Sequence, residues 1–304
     1  MTRTHWQSIH PGATRTLTST ATVQRSILSR ANRTSLLPDS IAGLPDGLAR
    51  ALFSVASRLS GLSECEALLS APPRSSTPCA WARDVLRSLE ITYEVSGPRL
   101  QNIVPRSGPI MFVANHPFGA LDALLGFAEL EPLRNDIRFL AQAIGQRIPQ
   151  VAPGLLPIQP SSMRRRLPLC NVRSLLRAVR WTRAGHALAL FPAPSVSHWR
   201  WESCRTEDPP WSRIAGIVAR ASGATVIPLY VHGKNSALFQ FVSGVCPPLR
   251  HAFLFRELLN KRGMHVRVVV GEPLSPEKLS ACRSADEVTA ELRRTVLMTG
   301  LHGR

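Results

Sequence analysis

Lysine is almost absent from this sequence, and acidic residues are few. Of the 37 basic residues, only Lys234, Lys261 and Lys278 are lysine, and no acidic residue precedes Asp39. The formal net charge is +17, carried almost entirely by arginine. Because the planar guanidinium makes paired contacts with phosphate and carboxylate groups, this composition indicates an anionic partner. Charge alone leaves nucleic acid, an anionic membrane and an acidic carrier protein open.

Long apolar runs are also missing. The best window, residues 214–231, contains Arg220 and Pro228, so it falls short of the roughly 18 to 20 uncharged residues that cross a bilayer. Any contact with a membrane is therefore expected to be peripheral, through an amphipathic face or a basic patch.

Several motifs that would indicate other chemistries are absent. The six cysteines form no C-x-x-C pair, which predicts reduced thiols in a cytoplasmic protein and no metal. A site built from His198, Cys204 and His232 has no supporting ligand spacing. No G-x-S-x-G sequence of a serine hydrolase occurs. Aromatic residues make up only 6% and the arginines are dispersed, which argues against a nucleic-acid binder.

The chain divides into a basic N-terminal segment and one folded domain. Residues 1–40 are rich in serine, threonine and arginine, and we predict a disordered basic tail there. A mitochondrial transit peptide would have the same composition, and so could a segment included through a misassigned start codon. Residues 41–304 predict a single domain, with N-terminal helices over 41–90, including 41–62 and 81–89, and an α/β core over 91–304. Within the core, 91–95 reads as a strand and 100–104 as its partner.

Residues 110–126 predict a strand, a tight turn and a helix. On one continuous helix His116 and Asp122 would lie roughly 240° apart around the axis, so they meet only if the histidine sits in the turn. Pro117 and Gly119 both suit a non-helical turn. The imidazole can then fold back over Asp122 in the first helical turn, which predicts a His–Asp pair.

Three apolar runs, ending at Asn115, Phe191 and Val231, each stop in a loop of small and polar residues. In a mostly parallel sheet these loops meet at one edge and line one cleft. The predicted fold is therefore α/β, with a mostly parallel mixed sheet flanked by helices and a short helical region before it.

The same three regions carry a family resemblance. Residues 115–122 read N-H-P-F-G-A-L-D, and this block resembles the N-H-P-x-G-x-x-D signature of one branch of the glycerolipid (lysophospholipid) O-acyltransferases. That branch includes proteins labelled as haemolysins and acyltransferases of ornithine- and glycine-lipid synthesis. Residues 191–197 resemble its F-P-A-G-x-V-S block, with Pro194 in place of the glycine, and residues 226–236 resemble its V-I-P-x-x-x-x-G-x-N-S block. The resemblance spans about residues 80–298.

The resemblance implies transfer of a fatty acyl group from an acyl-carrier-protein or CoA thioester to a hydroxyl. His116 would be the general base and Asp122 would orient it. Substrate-binding residues would come from the three blocks and from the basic run after residue 160: Asn115, Gly119, Arg164, Arg165, Arg166, Ser195, Ser197, Lys234 and Asn235. No cofactor and no metal are implied.

The resemblance leaves the acceptor open. A lysophospholipid such as lysophosphatidic acid is slightly favoured, because the run Arg164–Arg166 offers a phosphate clamp. The alternative is a lyso-ornithine or other amino-acid lipid. Partners would be the acyl carrier protein or CoA thioester, the lyso-lipid and an anionic surface at the cytoplasmic face of the inner membrane, with mitochondrial targeting as an alternative and no nucleic acid.

One other interpretation of the composition competes with this one. A basic protein that binds lipid or nucleic acid without catalysis would share the composition. For His186, His198 and His251 we expect a structural role, with the ring bound to a backbone carbonyl.

Overall fold

The computed structural model describes residues 61–70, 77–159, 169–245 and 250–302. Its strands are β1 (Thr92–Ser96), β2 (Ile110–Ala114), β3 (Arg138–Gln142), β4 (Leu155–Ile158), β5 (Ala187–Leu190), β6 (His198–Arg200), β7 (Arg205–Glu207), β8 (Thr225–Val231) and β9 (His265–Val270). Its α-helices are α1 (Leu62–Ser70), α2 (Pro78–Ser88), α3 (Leu100–Ile103), α4 (Ala120–Leu130), α5 (Leu169–Arg183), α6 (Ile214–Ser222), α7 (Ala237–Val245), α8 (Arg250–Leu259), α9 (Pro276–Ser280) and α10 (Ala285–His302). Short 3₁₀ turns occupy Ala143–Arg147 and Ala152–Gly154.

Seven strands form one mixed sheet in the order β1-β9-β8-β2-β5-β3-β4. The five strands from β8 to β4 run parallel, while β9 pairs antiparallel with β8 and parallel with β1. The prediction of a mostly parallel mixed sheet is confirmed. Strands β6 and β7 form a separate antiparallel hairpin.

Both faces of the sheet are covered by helices, because its central strand is apolar on both sides. All five residues of β2 are buried. Phe112 belongs to the core under α2, α4 and α8, while Met111 and Val113 belong to the core under α5, α6 and α10. A strand buried on both faces is typical of a parallel sheet between two helical layers. The site is therefore sought where the strands end, at the edge of the sheet formed by their carboxyl ends.

One predicted strand is wrong. Residues 100–103 form the short helix α3, in which the Val104 N–H donates to the Leu100 carbonyl. Gly97, with a φ of +94°, turns the chain against the end of β9, where a Cβ would stand 2.2 Å from the Val270 oxygen. The chain therefore leaves the sheet before residue 100, and Leu100 packs into the core instead.

Other expectations lie outside the described residues, or were not made. The predicted tail 1–40, almost all of the helix 41–62, and Arg164, Arg165 and Arg166 are not among the residues that the structure describes. The β6–β7 hairpin and helix α7 were not expected from the sequence. Within the described ranges, no helix is both long and apolar enough to cross a membrane.

Candidate active site

The carboxyl ends of β8, β2 and β5 lie side by side in the sheet. Each strand leads into one of the three loops that carry the sequence blocks. The prediction that these loops meet at one edge is confirmed. Parallel α/β sheets place their sites at this position, and we call the space between the three loops the cleft.

His116 and Asp122 meet in the loop after β2. His116 Nδ1 lies 2.8 Å from Asp122 Oδ2. The same oxygen accepts hydrogen bonds from the backbone N–H groups of Phe118 and Gly119, both at 2.9 Å. Asp122 is 1% exposed and stands in the first turn of α4, where a carboxylate is favoured by the helix dipole. The backbone of the turn therefore fixes the position of the carboxylate, and the carboxylate in turn contacts the histidine.

Gly119 makes this turn sterically possible. Its φ of +95° is in the region that favours glycine, and a Cβ there would stand 3.2 Å from both Leu254 Cδ2 and Val196 Cγ1. The turn thus brings residues six positions apart together, as the sequence argument required.

The imidazole of His116 has one buried and one exposed edge. It stacks on Phe191 with 4.7 Å between ring centroids and an interplanar angle of 20°. Nδ1 is fully buried while the side chain as a whole is 18% exposed, so the exposed part of the side chain lies away from Nδ1. The Nδ1–H group does not point straight at Asp122 Oδ2, but the short distance makes this the nearest acceptor. The arrangement therefore places Nδ1 beside a buried carboxylate and leaves part of the imidazole ring accessible.

Asp208 is a site residue that the sequence analysis missed. The backbone N–H of His116 donates to its carboxylate at 3.2 Å, Trp211 Nε1 donates to it at 2.9 Å, and the Ser197 hydroxyl also bonds it. Burial raises the pKa of Asp208, and the hydrogen bonds from Ser197 and Trp211 offset part of that rise. The one available signal was an acidic residue beside two prolines and a tryptophan.

The two asparagines of the blocks hold loops together. The Asn115 amide donates to the Val231 carbonyl at 2.9 Å and accepts from the Val231 N–H at 2.7 Å. Both of its polar atoms thus align β2 with β8, and one of the two amide N–H donors has no hydrogen bond among the described residues. Asn235 is buried and donates to the Phe118 carbonyl at 3.4 Å.

The other predicted binding residues lie on different sides of the cleft. Ser197 is buried, and its N–H donates to the His116 carbonyl at 2.8 Å. Ser195 is partly buried and accepts a hydrogen bond from Arg250 at 3.0 Å. Lys234 is exposed in the loop after β8.

Arg250 is a second residue that the sequence analysis did not select. Its guanidinium donates to Ser195 and to the Ser243 carbonyl, and its Nε is buried without a hydrogen bond in the described part of the chain. Burial lowers its pKa, and no described carboxylate offsets that effect. One helical turn further along α8, Leu254 contacts Gly119. A half-buried cation without a described counter-ion therefore stands near the His116 turn.

A narrow apolar cavity of about 40 Å³ runs between the sheet and α4. Phe112, Leu125, Phe139 and Phe191 are among its lining residues, and Asp122 is also part of the lining. Glu129 lies two helical turns further along α4 in the same lining and accepts a hydrogen bond from Tyr93. The cavity therefore leads from the His–Asp pair into the apolar core.

The remaining histidines differ from one another. His198 Nδ1 lies 2.9 Å from the Val196 carbonyl oxygen, which confirms the expected structural role, and burial lowers its pKa. For His186 the expectation was wrong, because its Nδ1 contacts the Asp136 carboxylate at 2.9 Å and its ring stacks on Trp181. The side chain of His251 lies outside the described residues. Among the residues described, no group of three or more histidine, cysteine or acidic side chains is placed to hold a metal.

Two characterised lipid acyltransferases are similar to this chain. A lyso-glycine lipid O-acyltransferase of Phocaeicola vulgatus is 26% identical over 198 residues, which cover 61% of this chain and 65% of that protein. A protein of the same name from Bacteroides thetaiotaomicron is 24% identical over 193 residues, covering 61% of this chain and 67% of that protein. The match thus spans about two thirds of the length of these curated relatives.

A solved structure and a family model also match. The crystal structure of the 1-acyl-sn-glycerophosphate (LPA) acyltransferase PlsC from Thermotoga maritima covers 85% of this chain and 98% of its own, at 16% identity and a TM-score of 0.44. The model of the family described as Acyltransferase matches residues 69–299. That match extends over most of the sequence and includes all three loops of the cleft, so the chain belongs to the acyltransferase family.

Proposed function

We propose that this protein is an O-acyltransferase that moves a fatty acyl group from a thioester to the hydroxyl of a lyso-lipid. The observation that carries the proposal is the His116–Asp122 pair, in which a buried carboxylate lies 2.8 Å from Nδ1 of a partly exposed imidazole. A hydroxyl is a weak nucleophile at neutral pH, and a positioned imidazole is the usual base that activates it. Membership of the acyltransferase family supports the same chemistry.

The reaction balances without a covalent enzyme intermediate. The acceptor hydroxyl gives its proton to His116 Nε2 while its oxygen bonds to the thioester carbonyl carbon. When the tetrahedral intermediate collapses, the carbon–sulfur bond breaks and the leaving thiolate takes the proton from the imidazolium. The products are an ester and a free thiol. Asp122 keeps the imidazole oriented and stabilises the positive charge that His116 carries between the two steps.

The apolar cavity supports the assignment of a fatty acyl donor. Its lining is almost entirely hydrocarbon, and it begins at Asp122. Burial of each methylene group contributes about 0.8 kcal/mol, but a volume of about 40 Å³ has room for only a few such groups, so most of an acyl chain would lie outside this cavity. Both acyl-carrier-protein and CoA thioesters satisfy this chemistry, and no cofactor beyond the thioester is needed.

The acceptor needs a cation for its head group, and Arg250 offers one. Its guanidinium has no described carboxylate partner and lies near the His116 turn. Guanidinium binds both carboxylate and phosphate in paired contacts. Because two relatives are lyso-glycine lipid O-acyltransferases, a lyso-amino-acid lipid with a free carboxylate is our first candidate acceptor. A lysophospholipid is the second, with Arg164, Arg165 and Arg166 as further candidates for its phosphate.

We also propose where the protein works. A lyso-lipid acceptor resides in a bilayer, and a chain of net charge +17 is attracted to anionic lipid head groups. We therefore place it peripherally at the cytoplasmic face of the inner membrane, with an acyl carrier protein or CoA thioester as its soluble partner. A role in nucleic-acid binding is not part of this proposal.

A panel of donors and acceptors tests the proposal. The purified full-length protein is offered acyl carrier protein and CoA thioesters with lyso-glycine lipid, lyso-ornithine lipid or lysophosphatidic acid, and ester formation is followed by mass spectrometry. We expect ester only when thioester and lyso-lipid are both present, with the highest kcat/KM for an amino-acid lipid. Vesicle or DNA binding without any ester product would support the non-catalytic alternative instead.

The role of Arg250 is tested separately with a matched arginine. Arg250→Ala should raise KM for the acceptor on the order of tenfold while kcat changes little, because a charge-assisted contact is lost from the bound head group. Arg250→Lys should recover part of the loss. Arg220→Ala is the control, since Arg220 is exposed on α6 and donates to the Arg283 carbonyl. Equal KM values for the wild type and Arg250→Ala would remove Arg250 from acceptor binding.

A further inference from the structure

Helix α7 presents an unusual outward face. Leu238 is 45% exposed and Phe241 is 68% exposed, and the sequence of α7 contains no charged residue. Ala237 and Gly244 are exposed on the same helix, while Phe239 on its inner side is fully buried. A soluble surface normally carries polar side chains at such positions, so this face has the composition of a surface covered by apolar material.

The hairpin β6–β7 extends this apolar face. Trp201 lies in its turn and is 71% exposed. Its Nε1 is 3.6 Å from the position that a Cβ on Gly244 would occupy, and β6 packs against α7. At about 100° per residue, Phe241 lies 60° around the helix from both Leu238 and Gly244, which makes the three large side chains neighbours. We call Trp201, Leu238 and Phe241 the apolar rim.

The apolar rim lies on two elements that both begin beside the His116 turn. The hairpin follows Ser197, whose N–H donates to the His116 carbonyl. Helix α7 follows Asn235, whose amide donates to the Phe118 carbonyl in the same turn. Both elements therefore grow from the loops that hold the catalytic pair. The apolar rim is therefore connected to the His116 turn through both of its elements.

We propose that the apolar rim inserts into the head-group region of an anionic bilayer and holds the entrance to His116 against the lipid. The inference rests on the proposed function, because a lyso-lipid must enter the site from a membrane. Tryptophan and phenylalanine are favoured at the membrane interface. Lys234 is exposed in the loop that leads into α7, and the chain's charge of +17 complements an anionic surface. Three side chains are too few for the roughly 800 Å² per partner of a stable dimer.

The test measures binding of the full-length protein to vesicles of phosphatidylglycerol and phosphatidylcholine. The variant Leu238→Glu/Phe241→Glu should bind at least about tenfold more weakly, because two apolar side chains leave the interface and two negative charges enter it. The control is Leu176→Glu on α5, where Leu176 is 49% exposed among arginines far along the chain from the rim. The control adds one negative charge outside the rim, so its binding to the vesicles should stay within about twofold of that of the wild type.

Tryptophan emission gives an independent readout. Addition of vesicles should shift the emission to shorter wavelength, and bromine atoms on the upper acyl carbons should quench it. Trp201→Phe should lose most of this response, since Trp201 is the described tryptophan of the apolar rim. Unchanged quenching in Trp201→Phe, or equal vesicle binding by the double variant and the wild type, would overturn the proposal.

Two further measurements separate this inference from its alternatives. In sedimentation without lipid, the wild type and the double variant should have the same mass, and a wild-type dimer that dissociates in the variant would assign the rim to a second copy and overturn the proposal. With a short-chain acceptor dissolved as monomers, the double variant should keep wild-type kcat/KM. A wild type that binds vesicles through the rim but forms no ester would defeat the proposed function and still support the membrane surface.

Discussion

The residue on which the proposed chemistry depends is His116, and its environment is set largely by its neighbours in sequence. Pro117 and Gly119 bend the chain, the N–H groups of Phe118 and Gly119 fix Asp122, and Asp122 meets the imidazole. All of these contacts lie within six positions, and the sequence alone predicts the bend and the His116–Asp122 pair, although not the two backbone hydrogen bonds to Asp122. Asp208 differs, because it reaches the His116 N–H across 92 positions. No pattern in the sequence around either residue predicts that contact.

At this scale we expect Asp208 to position His116 and not to contact the substrate. Asp208→Asn replaces one acceptor oxygen with an N–H₂ group that faces the donors of Ser197 or Trp211. The His116 turn then loses a fixed partner, and kcat should fall on the order of tenfold to a hundredfold while KM for the acceptor changes little.

The matched control for Asp208 is Asp286→Asn, an exposed carboxylate on α10 that only approaches Arg213 at 3.8 Å. It should retain wild-type kcat. Asp208→Glu, which keeps the carboxylate, should recover more activity than Asp208→Asn. Loss of folding stability in Asp208→Asn with undiminished kcat in the folded fraction would mean that Asp208 is structural only.

At the scale of elements, helix α8 connects the loop after β8 to the His116 turn. Glu257 is 1% exposed and accepts hydrogen bonds from the Ser236 N–H at 2.8 Å and from Lys261 Nζ at 2.9 Å. Lys261 is 6% exposed and lies 5.3 Å from the centre of the Phe118 ring. The buried pair thus ties α8 to two of the three loops of the cleft.

This pair predicts a pH-dependent contribution to stability. Burial would by itself raise the pKa of Glu257, but the hydrogen bonds from Ser236 and Lys261 together hold it below its usual 4.5. A carboxyl group with a lowered pKa in the folded state stabilises the fold above the unfolded value, and this contribution is lost as the pH falls through the folded value.

Glu257→Gln should therefore lower the free energy of unfolding at neutral pH by about 3 kcal/mol, because Lys261 is left buried without a counter-ion. Urea denaturation at neutral pH and near the lowered pKa measures the effect, and the difference from wild type should shrink in acid. Glu202→Gln is the control, since Glu202 is 74% exposed and makes only a 3.4 Å contact with Arg200. A difference that stays constant across the pH range would contradict the assignment.

The elements that the sequence did not predict are those stabilised by long-range contacts. Strands β6 and β7 have three residues each, which is too short to show an alternating pattern. Helix α7 is apolar on its exposed side as well as its buried side, so no amphipathic pattern marks it. The segment at 100–103 shows the converse error, since the turn at Gly97 takes the chain out of the sheet and the segment forms the helix α3.

At the scale of the whole molecule, apolar runs ending in polar loops were sufficient to predict a mostly parallel sheet and one edge for the site. They were not sufficient for the strand order or for the antiparallel pairing of β9, because those depend on which strands meet in space and not on the composition of each. The three loops with recognisable blocks follow three adjacent strands. Arg250 completes this edge from α8, which no single block identifies.

The central claim is that His116, held by Asp122, activates the acceptor hydroxyl at this edge. The most direct measurement is the rate of thiol release from an acyl thioester in the presence of lyso-lipid, for the wild type, His116→Ala and Asp122→Asn, each checked for folding by circular dichroism. Loss of the general base should reduce the rate by about 10² to 10⁴-fold in His116→Ala, and Asp122→Asn should also lose activity because the imidazole is no longer held in the required tautomer. Wild-type turnover by folded His116→Ala protein would contradict the account.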